Sequence, residues 1–337
     1  MSEIGKNKKI AIVLLNFGGP NKLDDVKQFL FNLFYDKAVI RLPNPFRWLI
    51  AKLIATKRCE TSKHIYDQIG GKSPILDWTN KQSDLLKQEL SALIKEEFEV
   101  FISMRYWYPR AFEVASKIEK YNPTEVIILP LYPHYSTTTT GSGVSDFLKY
   151  YPKEVQSICC YPTEHNFIRA WSENIKKSLE LLEPEEDFCI LFSAHGLPEK
   201  IIKQGDPYQW QIEQSVKAIV DTLGIQVDYK VTYQSRVGPV KWIGPCTEEE
   251  IKKACLDKKA IVIVPISFVS EHVETLVELD IEYKAIADLS NTKYIRVPAL
   301  GLNSYYIKAL ADLVVNKIGN NKMARICPKE FSCCKCS

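Results

Sequence analysis

The sequence predicts an α/β fold in which mostly parallel sheets are covered by helices on both faces. Short apolar segments alternate with longer amphipathic segments along the 337 residues. The short segments are apolar almost throughout, which is typical of parallel strands that are buried on both faces. The longer segments carry apolar residues at helical spacing. A regular alternation of strands and helices indicates this fold class.

Seven of the short segments are predicted to be strands. The first reads IAIVLLN and the sixth reads AIVIVPIS, as expected of buried strands. In chain order the predicted strands are 10–16, 99–105, 126–132, 188–194, 228–234, 260–267 and 294–299. The predicted helices, whose apolar residues fall on one face, are 79–97, 110–120, 166–182, 208–222 and 303–318.

An internal repeat divides the chain into two similar halves. VIILPLYPHYS at 126–136 resembles IVIVPISFVSEH at 261–272, and LLNFGGP at 14–20 resembles LFSAHGLP at 191–198. We therefore expect two Rossmann-like domains, each with a four-stranded, mostly parallel sheet, and a ligand cleft between them at the carboxyl ends of the strands. The predicted bounds are 1–160 and 161–322 for the domains and 323–337 for a cysteine-rich tail.

Composition excludes several classes of protein. The chain is 46% hydrophobic and 25% charged, which excludes a disordered protein. Its net charge of +3 is too small to indicate a nucleic-acid partner. We find no apolar run long enough to span a membrane and no targeting segment at the start of the sequence. Of the 10 cysteines, four lie in the tail and six are scattered through a chain long enough to build its own core, which favours a reducing compartment over a disulfide scaffold.

The first candidate catalytic motif is SAHGLP at 193–198. It places His195 where a buried strand ends in a sharp loop, and α/β folds expose functional side chains at such points. A histidine can accept a proton near neutral pH. A single histidine is often structural, and the motif alone leaves that alternative open.

The second motif follows the strand 260–267. Ser270 is the predicted N-cap of a helix on which Glu271, Glu274 and Glu278 are spaced to line one face. A solvated face with acidic residues near the helix N-terminus is the simpler interpretation. A file of carboxylates beside His195 is, however, what proton removal and metal delivery need.

The stretch 37–58 combines six basic residues, no acidic residue and an apolar stripe. This pattern is typical of a helix or lip that lies on an anionic membrane surface. An ordinary core helix with exposed lysines is the alternative interpretation.

Together, these motifs resemble those of the ferrochelatase family. The matching stretches run from residue 10 to about residue 320 and read LLNFGGP, IGGKSPI, SMRYWYP, LYPHYSTTTTGS, SAHGLP, GDPY, YQSRVGPVKWIGP and FVSEHVETLVELDIEY. The resemblance implies two Rossmann-like domains around a porphyrin cleft. It also implies a lyase that inserts Fe²⁺ into protoporphyrin IX to form protohaem, the terminal step of haem biosynthesis. Fe²⁺ is then a substrate, and the chemistry itself needs no cofactor.

By resemblance, His195 and Glu274 are the catalytic pair and the ligands of the substrate iron. Whether His195 is the base or the entry ligand of the metal stays open. Glu278, Glu271 and His272 are expected to form a path for protons or metal, although many relatives have Asp in place of Glu271. The residues expected to contact the porphyrin are Phe17, Tyr66, Arg105, Tyr106, Tyr132, Ser136, Trp242 and Phe268.

The cysteine tail resembles that of ferrochelatases that hold a 2Fe–2S cluster with three C-terminal cysteines and one internal cysteine. Cys327, Cys334 and Cys336 have the corresponding spacing here. The internal position of the animal enzymes is Thr137, so Cys160, Cys159 or the additional Cys333 would have to serve as the fourth ligand. A reduced tail without a cluster is the alternative.

The resemblance also implies partners and a location. We expect a monomer or homodimer in the cytoplasm, held at the inner membrane by a lip at about 41–58, with no nucleic-acid partner. Coproporphyrin is the rival substrate, and a cobalt or nickel chelatase for another tetrapyrrole is a further alternative. A porphyrin or haem carrier is the alternative outside the enzymes, and it has no need of the glutamate file.

Overall fold

A computed structural model describes residues 8–236, 238–318 and 325–335 of the chain. Within these ranges, eight strands form two four-stranded sheets. The strands are β1 (Lys9–Asn16), β2 (Glu97–Met104), β3 (Glu125–Pro130), β4 (Gln156–Ser157), β5 (Phe188–His195), β6 (Asp228–Gln234), β7 (Ala260–Val264) and β8 (Tyr294–Arg296).

The helices lie between and after the strands. They are α1 (Val26–Phe34), α2 (Phe46–Asp67), α3 (Ile75–Leu93), α4 (Ala111–Tyr121), α5 (Thr140–Tyr150), α6 (His165–Leu179), α7 (Glu199–Lys203), α8 (Tyr208–Leu223), α9 (Thr247–Leu256), α10 (Lys284–Leu289) and α11 (Ser304–Ile318). A π-helix, Glu274–Tyr283, runs directly into α10. Among the helices of these ranges, none is both long enough and apolar enough to cross a membrane.

The two sheets have the same topology. The first has the strand order β2-β1-β3-β4 and the second has the order β6-β5-β7-β8. Every pairing within them is parallel. The α/β fold class and the two Rossmann-like sheets predicted from the repeat are therefore confirmed.

All seven predicted strands are present, whereas several elements were missed. The strand β4 has two residues, too few to give an apolar pattern. Helix α5 reads TGSGVSDFLKY, and its glycines and hydroxyl residues have low helix propensity. Helices α1 and α9 were also absent from the prediction, and α2 was seen only as the basic apolar stretch.

A shared hydrophobic core joins the two halves. It contains Ile12 and Ile127 of the first sheet together with Ile190 and Val262 of the second. Helix α11, at the end of the second half, packs against α3 of the first half and against α6. Burial of apolar side chains from both sheets in one core stabilises their relative position, and with it the geometry of any site between them.

Candidate active site

His195 is the last residue of β5 and emerges from a buried strand. The preceding residues Ser193 and Ala194 are fully buried, while the His195 side chain is 38% exposed. Its main-chain N–H donates to Oγ of Ser267 (3.2 Å), and its carbonyl accepts from the Tyr208 hydroxyl (3.1 Å). These contacts fix the backbone, so the imidazole stands at the strand end with access to a ligand.

Glu274 lies beside the imidazole. Oε2 of Glu274 is 2.7 Å from Nδ1 of His195, which leaves Nε2 as the ring nitrogen that a ligand can contact. Burial alone would lower the pKa of His195, but the charge and hydrogen bond of Glu274 raise it above its usual 6.5. Burial alone would raise the pKa of Glu274, but His195 above all lowers it to about 2. The pair therefore holds a proton more firmly than an isolated imidazole does.

The helix that carries Glu274 starts later than predicted. Ser270 is buried and its hydroxyl accepts from Nε2 of Gln82 (3.0 Å), so the prediction that Ser270 is the N-cap was wrong. The helix instead begins at Glu274 and is a π-helix, whose turn is wider than that of an α-helix. Residues four apart, such as Glu274 and Glu278, then lie nearly above one another.

Glu278 is held by four hydrogen bonds. Its carboxylate accepts from Nε2 of Gln234 (2.8 Å), from the N–H (2.7 Å) and hydroxyl (2.5 Å) of Ser235, and from the Tyr283 hydroxyl (2.9 Å). Gln234 also donates to the main-chain carbonyl of Glu274 (3.1 Å). The end of β6 thus fixes the second carboxylate next to the first.

Glu271 does not belong to this helical face, and the prediction that it does was wrong. It precedes the π-helix, and its Oε1 accepts from Nη1 of Arg296 (2.5 Å) and from the N–H of Ala299 (3.0 Å). Arg296 in turn makes a two-point ion pair with Asp280 (2.7 and 2.9 Å). Glu271 therefore lies in an ion-pair network at the end of β8.

His272 and Phe268 lie on the loop between β7 and the π-helix. Their rings are in contact, with centroids 4.7 Å apart. Burial lowers the pKa of His272, although the charges of Glu274 and Glu271 oppose the shift. The imidazole of His272 therefore favours its neutral form, whereas that of His195 favours its charged form.

Three predicted porphyrin contacts of the first half gather beside the start of the π-helix. Phe17, Tyr66 and Tyr106 belong to one apolar cluster that also includes Val273, the residue before the π-helix. The rings of Phe17 and Tyr106 meet edge to face at 4.8 Å. Burial raises the pKa of the Tyr66 hydroxyl, and the nearby charge of Glu274 raises it further. This apolar cluster therefore packs against the start of the helix that carries Glu274, although Tyr66 and Tyr106 are themselves buried.

Arg105 is engaged in ion pairs within the first half. Its guanidinium lies 2.9 Å from Asp36 and 3.2 Å from Asp146, and Nε donates to the Ser142 hydroxyl (2.7 Å). Tyr132 lines the same small cavity as Arg105. Sequence reasoning missed both acidic partners, since neither lies in a motif that drew attention.

Ser136 is likewise bound to a residue that sequence reasoning did not single out. Its hydroxyl donates to Oδ2 of Asp206 (3.0 Å), which also accepts from the N–H (2.7 Å) and hydroxyl (2.8 Å) of Thr137. Asp206 is fully buried, and its Oδ1 accepts from the N–H of Tyr208 (3.1 Å). The GDPY stretch that contains Asp206 was the available signal.

Trp242 packs against Gly196, the residue after the histidine. A Cβ atom on Gly196 would lie 3.3 Å from the Trp242 ring and 2.9 Å from the carbonyl oxygen of Gln234. The glycine after His195 is therefore required for this close approach.

Four buried cysteines, Cys159, Cys160, Cys327 and Cys334, pack together beside Tyr135. We call them the cysteine group. A hydrogen bond with Cys160 lowers the pKa of Cys327; burial opposes the shift, and bonds with Gln211 and Cys334 add to it, leaving a value of about 6. Cys333 points elsewhere, donating to the Gln204 carbonyl (3.3 Å), and Cys336 lies outside the described residues. Over the ranges described, no group of three or more His, Cys, Asp or Glu side chains is arranged to hold a metal ion.

The basic apolar stretch forms the start of α2 and the loop before it. Phe46 is 63% exposed and Leu53 is 61% exposed, whereas Ala51 and Ala55 are buried. The helix thus packs through its small residues and presents its large apolar ones, which is the reverse of a core helix.

Comparison with known proteins gives consistent matches. A family model described as Ferrochelatase matches residues 9–318. The Ferrochelatase of Rickettsia felis is 55% identical over 340 residues, covering 98% of both chains. That of Pelagibacter ubique is 48% identical over 342 residues, covering 97% of this chain and 98% of the other.

A solved structure shares the fold. SirB from Bacillus subtilis with Fe3+ superposes with a TM-score of 0.53, covering 93% of this chain and 96% of that one. The two sequences are 11% identical, so the likeness shows the fold alone.

Proposed function

The chain belongs to the ferrochelatase family, and we propose that it inserts Fe²⁺ into protoporphyrin IX to form protohaem, the terminal step of haem biosynthesis. The observation that carries this proposal is the His195–Glu274 pair, 2.7 Å apart, with the aromatic cluster of Phe17, Tyr66 and Tyr106 packed against Val273, the residue before Glu274. A flat apolar ring packs well against aromatic side chains, and a porphyrin that must lose protons needs a proton acceptor such as this pair.

The reaction exchanges two pyrrole protons for one divalent metal ion, so the total charge is conserved. In our proposal Nε2 of His195 accepts a pyrrole proton, and the carboxylate of Glu274 at Nδ1 stabilises the imidazolium that results. Glu278 lies one helical turn further along, where its four donors hold it as an ordered carboxylate. In our proposal it passes protons or metal away from the pair or towards it.

The remaining site residues take two kinds of role. Phe17, Trp242 and Phe268 would contact the ring, whereas the buried Tyr66 and Tyr106 would support the ring site from behind. Arg105, Tyr132 and Ser136 would shape the first half of the cleft indirectly, since Arg105 and Ser136 are bound to buried carboxylates. Glu271 and His272 would act at the mouth of the metal path; the ion pair of Glu271 with Arg296 argues for a supporting role.

The decisive experiment follows porphyrin absorbance with Fe²⁺ under anoxic conditions. Wild type should form protohaem, whereas His195→Ala should lose the activity and His165→Ala, at an exposed position on α6, should retain it. Turnover with coproporphyrin but not with protoporphyrin would show that coproporphyrin is the substrate. Tight porphyrin binding without metal insertion would refute the enzyme and favour a carrier.

We further propose that the first turns of α2 lie on the surface of the cytoplasmic membrane. The exposed Phe46 and Leu53 would enter the lipid interface while neighbouring lysines and arginines meet anionic headgroups. Flotation with anionic vesicles tests this, and a Phe46→Ser/Leu53→Ser double variant should float less. Leu289→Ser, at a site that is 90% exposed elsewhere, is the control, and equal flotation of all proteins would refute the proposal.

We also propose that the cysteine group holds a 2Fe–2S cluster, with Cys160, Cys327 and Cys334 as ligands and Cys336 or Cys159 as the fourth. The support is a set of buried soft donors drawn from two distant segments, since no complete ligand geometry is preformed in the part of the chain described here. Such a cluster, when bound, supplies an electron-accepting centre outside the porphyrin cleft. We expect about two iron and two sulfide per chain after anoxic purification. The iron and sulfide content should be lower in Cys327→Ser and unchanged in Cys255→Ser. Sulfide-free wild type would refute it.

A further inference from the structure

Gln211 connects three segments of the chain at the cysteine group. Its side chain lies on α8 and is fully buried. Nε2 donates to Sγ of Cys160 (3.2 Å) and to Sγ of Cys327 (3.1 Å). Oε1 accepts from the main-chain N–H of Tyr135 (2.7 Å). One amide thus joins the loop after β3, the loop after β4 and the tail.

Gln211 carries polar groups that a side chain filling this space would not need. A leucine would fill a similar volume, whereas a buried amide is unfavourable unless both of its ends are satisfied. Here the acceptor end meets a backbone donor and the donor end meets two sulfurs. Donation to sulfur is most favourable when the sulfur carries negative charge, as a thiolate ligand does.

The position of Gln211 on α8 places it near the site as well. In the turn before it, Asp206 accepts from Ser136 and Thr137, and the Tyr208 hydroxyl reaches the carbonyl of His195. Gln211 therefore binds Tyr135, and Asp206 binds Ser136 and Thr137, the next two residues of the same loop.

We propose that Gln211 is a positioning residue that gives two N–H···S hydrogen bonds to Cys160 and Cys327 and ties this pair to the 135–137 loop. The proposal rests on the 2Fe–2S cluster proposed above. Hydrogen bonds to the sulfurs of a cluster stabilise the additional negative charge of its reduced form, so they raise its reduction potential. Gln211 therefore fixes the position of two cluster ligands and raises the reduction potential of the cluster.

Two substitutions separate the two ends of the amide. Gln211→Glu keeps the acceptor for Tyr135 and replaces the donor by a carboxylate oxygen, while Gln211→Leu removes both. Gln209→Glu is the matched control, because Gln209 is a part-exposed glutamine of the same helix whose amide bonds to Glu213. The full chain is purified without oxygen for each variant. The readouts are iron and sulfide content, the electron paramagnetic resonance spectrum and midpoint potential of the reduced cluster, and hydrogen exchange at the Tyr135 amide.

We expect Gln211→Glu to shift the midpoint potential to a more negative value while the Tyr135 amide stays protected. Gln211→Leu should lose cluster content and accelerate exchange at Tyr135, and Gln209→Glu should match wild type. An unchanged potential in Gln211→Glu, with a normal cluster and unchanged exchange in both variants, would overturn the role of Gln211 and leave the cluster proposal intact.

If the wild-type protein contains no sulfide, the cluster proposal is refuted, whereas the role of Gln211 is not yet decided. The positioning role is then judged on the thiols alone, from exchange at Tyr135 and the alkylation rates of Cys160 and Cys327. Faster exchange and faster alkylation in Gln211→Leu uphold the positioning role, and unchanged rates overturn it.

Discussion

Nδ1 of His195 lies 2.7 Å from Oε2 of Glu274, although 79 residues separate the two in sequence. The contact forms because β5 ends at His195, while the loop that follows its neighbouring strand β7 leads to the π-helix that begins at Glu274. Each partner shifts the pKa of the other in the direction that favours a charged pair. The pair is therefore one acid–base unit assembled from the end of a strand and the start of a helix.

The first prediction concerns the pH profile of Glu274→Gln. His195 accepts a proton only when neutral, so activity should rise with pH through its pKa, which Glu274 raises above 6.5. Loss of the carboxylate removes that shift, so the acid limb of kcat/KM should move to lower pH. Because an orienting partner is lost as well, the plateau should fall by about 10- to 100-fold. Metal insertion measured from pH 5.5 to 8.5 checks both effects.

The control for this experiment is Glu282→Gln, an exposed glutamate of the same π-helix, which should leave the limb in place. An acid limb that stays at the wild-type pH in Glu274→Gln would show that the limb does not report His195.

The second prediction concerns Asp206, whose carboxylate accepts four hydrogen bonds in a fully buried position. In Asp206→Asn the new NH₂ group must face a donor of Ser136, Thr137 or Tyr208. Such a mismatch should lower the free energy of unfolding by about 1–3 kcal/mol. Urea denaturation measures it, with Asp221→Asn, an exposed change on α8, as the control. Equal midpoints for Asp206→Asn and the control would contradict the prediction.

The sequence predicted the central sheets because their strands are almost wholly apolar, and periodicity detects such segments directly. It also placed His195 and Glu274 at adjacent strand ends, since parallel strands of one sheet end on one side. It could not predict that Glu271 pairs with Arg296, because the start of the helix depends on Ser270 being buried against Gln82. Contacts between distant polar residues, such as Ser136 with Asp206, carry no local pattern.

The third prediction follows from the fork that Arg296 makes between Glu271 and Asp280. A lysine carries the same charge but has no planar pair of donors, so Arg296→Lys cannot satisfy both carboxylates. We expect the free energy of unfolding to fall by about 1 kcal/mol, since a partly buried carboxylate is left without its donor. Arg58→Lys, at an exposed position on α2, should have no effect on urea midpoints. A fully stable Arg296→Lys would show that the ion pairs do not support the loop before the π-helix.

The last prediction uses His134, which is 2% exposed and whose Nε2 lies 2.9 Å from the Ser215 hydroxyl. Burial lowers its pKa from 6.5 to about 3, so the folded chain keeps this imidazole neutral over that range. The unfolded chain binds a proton there below pH 6.5, and stability should therefore decline as the pH falls from 6.5 towards 3. His134→Gln has no such proton, so its free energy of unfolding should fall less steeply with falling pH than that of wild type. The difference between the two slopes should be up to about 1.4 kcal/mol per pH unit. Urea titrations at pH 7, 6 and 5 measure both slopes, with the exposed His165→Gln expected to follow wild type. Parallel slopes for wild type and His134→Gln would mean that His134 takes up its proton without unfolding.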